Sequence, residues 1–158
     1  DVVMPSGGIT DQKDKIEDLL TKKVDGIAVS PIDADNQTEL LNKAAERTNL
    51  VTHDSDAPAS NRICYIGMDN YEAGLMCADL VKKALPEGGK VMIFVGRMEQ
   101  DNAKHRRQGL IDGLIGKKRE KGGVDLPEEK FIHVPAQTIE KGNVDEFWST
   151  LKQRLGKE

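Results

Sequence analysis

Residues 50–58 read Leu50-Val51-Thr52-His53-Asp54-Ser55-Asp56-Ala57-Pro58, a short apolar run that passes into polar, turn-forming residues and a proline. Four residues of strand-forming character followed by such a loop read as one buried strand and the connection at its carboxyl end. The same unit stands on either side. Upstream, Gly26 leads into Ile27-Ala28-Val29, which Ser30-Pro31 stops. Downstream, Ile63-Cys64-Tyr65-Ile66-Gly67 reads as the next strand, and Lys90-Val91-Met92-Ile93-Phe94-Val95-Gly96 is the most strand-like segment of the chain.

Helical periodicity fills the intervals. Thr10 or Asp11 is expected to cap a first helix running to about residue 22, with Ile16, Leu19 and Leu20 on its apolar stripe and Val24 extending it. Asp33 to Asn36 supply cap candidates for a second, whose buried face is Leu40, Leu41, Ala44 and Ala45. Asp69 caps a third, with Ala73, Met76, Cys77, Leu80 and Val81 as its expected apolar positions, and Pro86-Glu87-Gly88-Gly89 ends it. A fourth runs from about residue 102 to 115. Strands alternating with amphipathic helices predict an α/β chain with a parallel sheet flanked by helices. The alternation fails at Gly116, where a basic, glycine-containing stretch over residues 116–123 replaces the expected turn and strand. Beyond Val124-Asp125-Leu126-Pro127 come a strand, Phe131-Ile132-His133-Val134-Pro135, and a closing helix from about Asn143, with Val144, Phe147, Trp148 and Leu151 as its stripe.

The 158 residues include 27 acidic and 23 basic side chains, a formal net charge of -4. A net negative domain disfavours nucleic acid as a partner, because phosphate contacts need a basic face. The richest basic run, Lys117-Lys118-Arg119-Glu120-Lys121, reads as a solvated linker. No window approaches eighteen consecutive apolar residues, and Asp1-Val2-Val3-Met4-Pro5 lacks the layout of a signal peptide, so an export signal is expected to be absent or removed. Cys64 and Cys77 fit no metal spacing, and His53, His105 and His133 fall in different predicted elements, so neither a metal site nor a cofactor is expected. Two buried free thiols are the simpler reading of the cysteines; a disulfide needs their Cα atoms within about 7 Å.

Open α/β sheets bind ligands beyond the carboxyl ends of their strands, so the loops after Val29, His53, Ile66 and Val95 belong together. They hold Ser30, Asp33, Asp54, Asp56, Asp69, Asn70, Asn102, His105 and Arg106. Carboxylates, amides and guanidinium groups hydrogen-bond hydroxyls, and no nucleophile with an adjacent base stands among them, so the set suits a polyol better than a phosphate. Ser55 between Asp54 and Asp56 lacks the G-x-S-x-G turn of a nucleophile, and His53 should face the other side of its strand. The Gly-Gly pairs at 7–8, 88–89 and 122–123 lack phosphate-loop spacing and read as turns. Asp54 and Asp56 alone do not define a calcium site.

Three spaced motifs carry a resemblance: Val24-Asp25-Gly26-Ile27-Ala28-Val29-Ser30-Pro31, Val51-Thr52-His53-Asp54-Ser55-Asp56-Ala57-Pro58, and Tyr65-Ile66-Gly67-Met68-Asp69-Asn70-Tyr71-Glu72-Ala73-Gly74, with Asn102-Ala103-Lys104-His105-Arg106-Arg107-Gln108-Gly109 adding a fourth. Together they resemble the type I periplasmic sugar-binding proteins, the ribose- and galactose-binding branch that serves ABC importers. The resemblance implies a periplasmic-binding-protein type I fold of Rossmann-like lobes, a periplasmic or extracytoplasmic location, and a neutral monosaccharide held between the lobes. It also implies a permease as partner, no catalysis, and no membrane contact except through that permease. By motif, Asp54 is similar to the aspartate that accepts from sugar hydroxyls, and Arg106 to the arginine that clamps the sugar from the opposing lobe. Ser30, Met68 and Asn102 match further ligand-lining positions, and Asp69 and Asn70 the crossover between lobes.

The resemblance also implies missing parts. The family's first strand and helix have no counterpart here, and two lobes need roughly 250 to 300 residues, on the order of a hundred more than this chain. The expected organisation places residues 1–68 and 124–158 in the first lobe and its return segment, 69–116 in the start of the second lobe, and 117–123 at a junction. Half of the ligand cradle would then be absent, and weak or no sugar binding is expected of the chain alone. A ligand-sensing domain of a LacI-type sugar-responsive regulator is the competing reading, since it shares the fold; Leu85-Pro86-Glu87-Gly88-Gly89-Lys90 stands where such regulators carry a Gly-His-basic sequence. An enzyme on a flavodoxin-like or hydrolase-like sheet would need a phosphate loop or nucleophile that is not found.

Overall fold

The computed structural model describes residues 2–117 and 130–156. Its elements run α1 (Ile9–Thr21), β1 (Gly26–Val29), α2 (Ala34–Ala45), β2 (Asn49–His53), β3 (Tyr65–Gly67), α3 (Asn70–Ala84), α4 (Asp101–Ile115), β4 (Phe131–His133) and α5 (Val144–Arg154). The four strands form one parallel sheet in the order β1-β2-β3-β4. Register pairs Ile27 with Leu50, Thr52 with Tyr65, and Tyr65 with Phe131, whose rings stack 5.5 Å apart. The expected α/β architecture is therefore present.

Alternation along the strands decides which side chains enter the core. Ile27 and Val29 of β1 and Leu50 of β2 are buried against Ile16 and Leu20 of α1 and Ala34, Leu41 and Ala44 of α2. Each large aliphatic chain withdrawn from water there contributes roughly 1.5–3 kcal/mol. Asp33 caps α2 as expected, its side chain accepting from the Asn36 backbone N–H. The cap of α1 differs from expectation: Gly8 occupies it, and Asp11 lies inside the helix, where its carboxylate accepts from the Ser6 and Gly7 N–H groups. Those bonds to the charged form hold the Asp11 carboxyl below its usual range.

The connection from β2 to β3 is unusual for parallel neighbours. Such strands are ordinarily joined through a helix, whereas residues 54–64 cross without one. A buried ion pair closes this loop on itself, with the Arg62 Nε and Nη2 donating to the two Asp56 carboxylate oxygens at 2.5 Å each. Thr52 Oγ1 and the Ala57 N–H also donate to Asp56 Oδ1, at 2.6 and 2.8 Å.

Four expectations are corrected. Lys90-Val91-Met92-Ile93-Phe94-Val95-Gly96 forms no strand, and Phe94 is 86 % and Met92 78 % exposed. Strand propensity is realised only when a neighbouring strand supplies ladder bonds. This segment, lying between α3 and α4, pairs with none of the four strands. Helix α3 buries Tyr71, Gly74 and Ala78 rather than the stripe through Met76, Cys77 and Leu80, because the face set against α4 is its glycine face. Cys64 is buried but Cys77 is exposed, and both are free thiols. Helix α5 forms where expected, but none of its residues is buried and Trp148 is 55 % exposed. The stretch at 118–123, most of the expected junction, lies outside the described residues.

Candidate functional site

Ser30, Asp54 and Met68 each stand one residue past the carboxyl end of a strand, after β1, β2 and β3 respectively. Parallel register therefore brings residues 24 and 14 positions apart in sequence to one edge of the sheet. Ser30 Oγ donates to Asp54 Oδ2 at 3.0 Å. Asp54 itself adopts φ 60°, and the Ser55 N–H donates to the His53 carbonyl at 2.7 Å, so Asp54 is the centre of a three-residue turn in the left-handed region. That turn is rare and strained for a residue with a Cβ.

The opposing wall comes from α4. A Cβ at Gly74 would overlap the Arg106 carbonyl oxygen, one at Gly109 the Tyr71 carbonyl oxygen, and one at Gly113 would lie 2.5 Å from the Ala78 Cβ. Gly74-x-x-x-Ala78 on α3 and Gly109-x-x-x-Gly113 on α4 thus let the two backbones touch. Tyr71 hydroxyl donates to Asp112 Oδ2 at 2.8 Å across the same interface. This close fit places Asn102 and Arg106, on the first turns of α4, opposite Asp54. Asn102 Nδ2 lies 3.4 Å from Asp54 Oδ2, and Arg106 Nη2 lies 3.9 Å from Asp54 Oδ1. Arg106 Nε donates to Asn70 Oδ1 at 2.7 Å, and its Nη2 lies 4.0 Å from the Met68 sulfur. Asp54 and Arg106 keep about half of their side-chain surface in solvent, 55 % and 45 %. Among the described residues Asp54 Oδ1 accepts no hydrogen bond, so an acceptor and guanidinium donors face each other across the gap.

Tyr65 organises this edge from below. Its hydroxyl lies 3.0 Å from the Asp54 carbonyl and 3.2 Å from the Met68 carbonyl, and it accepts from Asn70 Nδ2 at 3.2 Å. Gly67 has no Cβ to obstruct the ring. Burial, reinforced by the charges of Asp56, Asp54 and Asp101 and only partly offset by the Asn70 bond, pushes the Tyr65 phenol up to about 12. The native state then retains its proton between pH 10 and 12 while the unfolded chain loses it, so stability falls as pH rises through that window. The loss is about 2–3 kcal/mol at 1.36 kcal/mol per unit. Urea unfolding at pH 9 and pH 11.5 is expected to show about 2 kcal/mol of this loss in the wild type, and Tyr65→Phe is expected to lack that contribution.

Sequence reading grouped nine polar residues in these loops, and the structure sorts them. Ser30, Asp54, Asn70, Asn102 and Arg106 converge with Met68. Asp33 and Asp69 cap α2 and α3. Asp56 is held in the ion pair with Arg62. His105 Nδ1 sits 3.1 Å from Asp101 Oδ2, and that hydrogen bond raises its pKa against the opposing effect of burial. Ser55 is fully buried with no hydrogen-bond partner for its Oγ among the described residues, and His53 is exposed, so the two do not form a nucleophile and base. No group of three His, Cys, Asp or Glu able to hold a metal occurs among the described residues. An open groove of about 660 Å³ at the amino ends of β1 and β2, bordered by Lys23, Asp25, Arg47 and Asn49, contains none of the candidates. Tyr65 and Arg62 join the site only through the tertiary structure, since no local signal marks their partners; the small-residue spacing on α3 and α4 is visible in the sequence.

Comparison with known proteins agrees with this fold. The family model described as periplasmic binding protein domain matches residues 2–145. An ABC transporter solute-binding protein from Burkholderia graminis C4D1M, solved in complex with D-arabinose, is 27 % identical with a TM-score of 0.68; the match covers 99 % of this chain and 51 % of that one. AraP, an arabinose-binding protein from Geobacillus stearothermophilus, is 27 % identical with a TM-score of 0.57, over 82 % of this chain and 41 % of its own. A sugar-binding protein of a sugar ABC transporter from Bacillus halodurans is 26 % identical with a TM-score of 0.59, over 80 % and 40 %. The chain thus spans about half the length of these structures. No curated protein matches it by sequence. With 144 consecutive residues matched by the family model, the chain belongs to the periplasmic binding protein domain family.

Proposed function

We propose that the chain is the larger part of one lobe, and the beginning of the second, of a solute-binding protein that delivers a neutral monosaccharide to an ABC importer outside the cytoplasm. The observation that carries the reading is the facing pair Asp54 and Arg106, 3.9 Å apart on opposite walls at the carboxyl edge of a parallel sheet. A carboxylate accepts from two hydroxyls and a guanidinium fork donates to two oxygens, so the pair orients a neutral ring without any bond being made or broken. Ser30 and Asn102 hold the Asp54 carboxylate by Oδ2 and leave Oδ1 for the ligand; Asn70 aligns Arg106 and, with Asp69, sits at the crossover. Closure of two lobes around the sugar would create the surface a permease recognises. Among the described residues no helix is long and apolar enough to cross a membrane, which suits a partner met at the membrane surface.

Titration with ribose, arabinose, xylose, galactose and glucose, followed by thermal unfolding, tests the reading. Since the chain spans about half the length of the solved solute-binding proteins it matches, a dissociation constant of about 10 mM is expected for the best sugar. At about 100 mM this stabilises the fold by roughly 1.4 kcal/mol and raises the melting temperature by about 3–6 °C. Asp54→Asn and Arg106→Ala should each abolish the shift. A sugar-induced shift that survives unchanged in Asp54→Asn and Arg106→Ala overturns the reading.

A further inference from the structure

We propose that the buried Asp56–Arg62 ion pair is a positioning device that holds Asp54 in its left-handed turn and so presents its carboxylate to the ligand. The inference rests on the sugar-binding reading of Asp54 and assigns its partners a role in that same site.

A non-glycine residue at positive φ costs on the order of 1–3 kcal/mol and persists only where its surroundings over-determine it. Asp54 is held on its near side by β2 and β3: its N–H donates to the Ile66 carbonyl at 3.2 Å, and its own carbonyl lies 3.0 Å from the Tyr65 hydroxyl. Its far side begins at Ser55 and leads into the helix-free crossover, where no regular element fixes the backbone. There the restraint is Asp56. Its two carboxylate oxygens collect four hydrogen bonds, two from Arg62, one from Thr52 of β2 and one from the Ala57 N–H. The Thr52 bond ties residue 56 back to the strand that residue 54 has just left, so the chain must reverse within residues 53–55. The Arg62 fork ties the same carboxylate to the far end of the crossover, next to Ile63, whose N–H donates to the Leu50 carbonyl at 2.8 Å. Both ends of the loop are thereby referred to β2, and Asp54 is the residue left to make the turn.

A bidentate pair supplies direction as well as attraction, which a lysine cannot reproduce. Replacing both partners by apolar residues of similar volume commonly restores stability, because it removes two desolvated charges together. It does not restore the tether to Thr52. Stability and the geometry of the turn can therefore be separated.

The test compares wild type with Arg62→Lys and with the double variant Asp56→Leu/Arg62→Met by amide hydrogen exchange, reading the Ser55 N–H, which closes the turn on His53, against amides of the β1–β2 ladder. Both variants should exchange Ser55 at least about tenfold faster than any change in the ladder, as local opening does. In the double variant the sugar-induced thermal shift should disappear even when its melting temperature matches that of the wild type. Ser55 exchange that changes no more than the ladder in the double variant overturns the proposal and leaves the pair a purely structural brace. A wild-type sugar response that survives Asp54→Asn overturns the functional reading instead, and the exchange result still decides whether the pair holds the turn.

Discussion

Gly109→Val is expected to lower the melting temperature by about 6–12 °C, for a loss of about 3 kcal/mol, and to remove any thermal response to sugar. The side chain would enter the space of the Tyr71 carbonyl oxygen, a backbone atom within α3 that has no rotamer by which to withdraw. Valine does gain a few tenths of a kcal/mol in helix propensity over glycine. Overlap with a fixed backbone outweighs that gain, so the helices must separate or α4 must rotate. Either movement breaks the Tyr71 to Asp112 hydrogen bond and shifts Arg106, which lies one turn earlier on the same helix and whose carbonyl already touches Gly74. Gly142→Val is the control, because a Cβ there meets nothing within 4 Å. Thermal unfolding of both variants, with and without sugar, checks the expectation; a stable, sugar-responsive Gly109→Val would show that α3 and α4 do not rely on direct backbone contact.

Asp56→Leu is expected to destabilise the fold by about 3–5 kcal/mol, because it leaves the Arg62 guanidinium buried without its counter-charge. The side chains of both partners are almost fully withdrawn from water, at 3 % and 2 % exposure, so solvent cannot take over the lost interaction. The exposed Lys104–Asp35 pair, 2.8 Å between α4 and the first turn of α2, makes the contrast. Breaking it by Lys104→Ala should change stability by less than about 1 kcal/mol, since water and salt already screen most of its attraction. Adding Arg62→Met to Asp56→Leu should recover most of the first loss. Urea unfolding of Asp56→Leu, of Arg62→Met and of the double variant closes the cycle; a double variant as unstable as Asp56→Leu would mean that the cavity, and not the orphaned charge, dominates.

Both expectations concern residues whose type was plain in the sequence but whose partners were not. The strands at Ile27, Leu50 and Tyr65, the caps Asp33 and Asp69 and the helix beginning near Asn102 were legible, because each depends on side chains within a few positions: alternation for a strand, a carboxylate ahead of free N–H groups for a cap. The motif resemblance likewise pointed to Asp54 and Arg106, and to the family. Lys90-Val91-Met92-Ile93-Phe94-Val95-Gly96 shows the limit of local reading, since a strand exists only where another strand offers it a ladder. Asp56 shows the same limit within the site: beside Asp54 and Ser55 it looked like a ligand group, and only the return of the chain at Arg62 withdraws it into the interior.

The sequence by itself determined the helices and the four strands that pair, though not that residues 90–96 stay unpaired, together with the polar character of the loops, all of which follow from local periodicity and local hydrogen bonding. Only the tertiary structure decided which of those polar groups face one another. Parallel register set Ser30, Asp54 and Met68 side by side, and contact between the glycine faces of α3 and α4 fixed Arg106 opposite them. Burial of Tyr65 and of the Asp56–Arg62 pair then held that edge in place. These are pairings between residues tens of positions apart, and their energies exist only once the sheet and helices have packed.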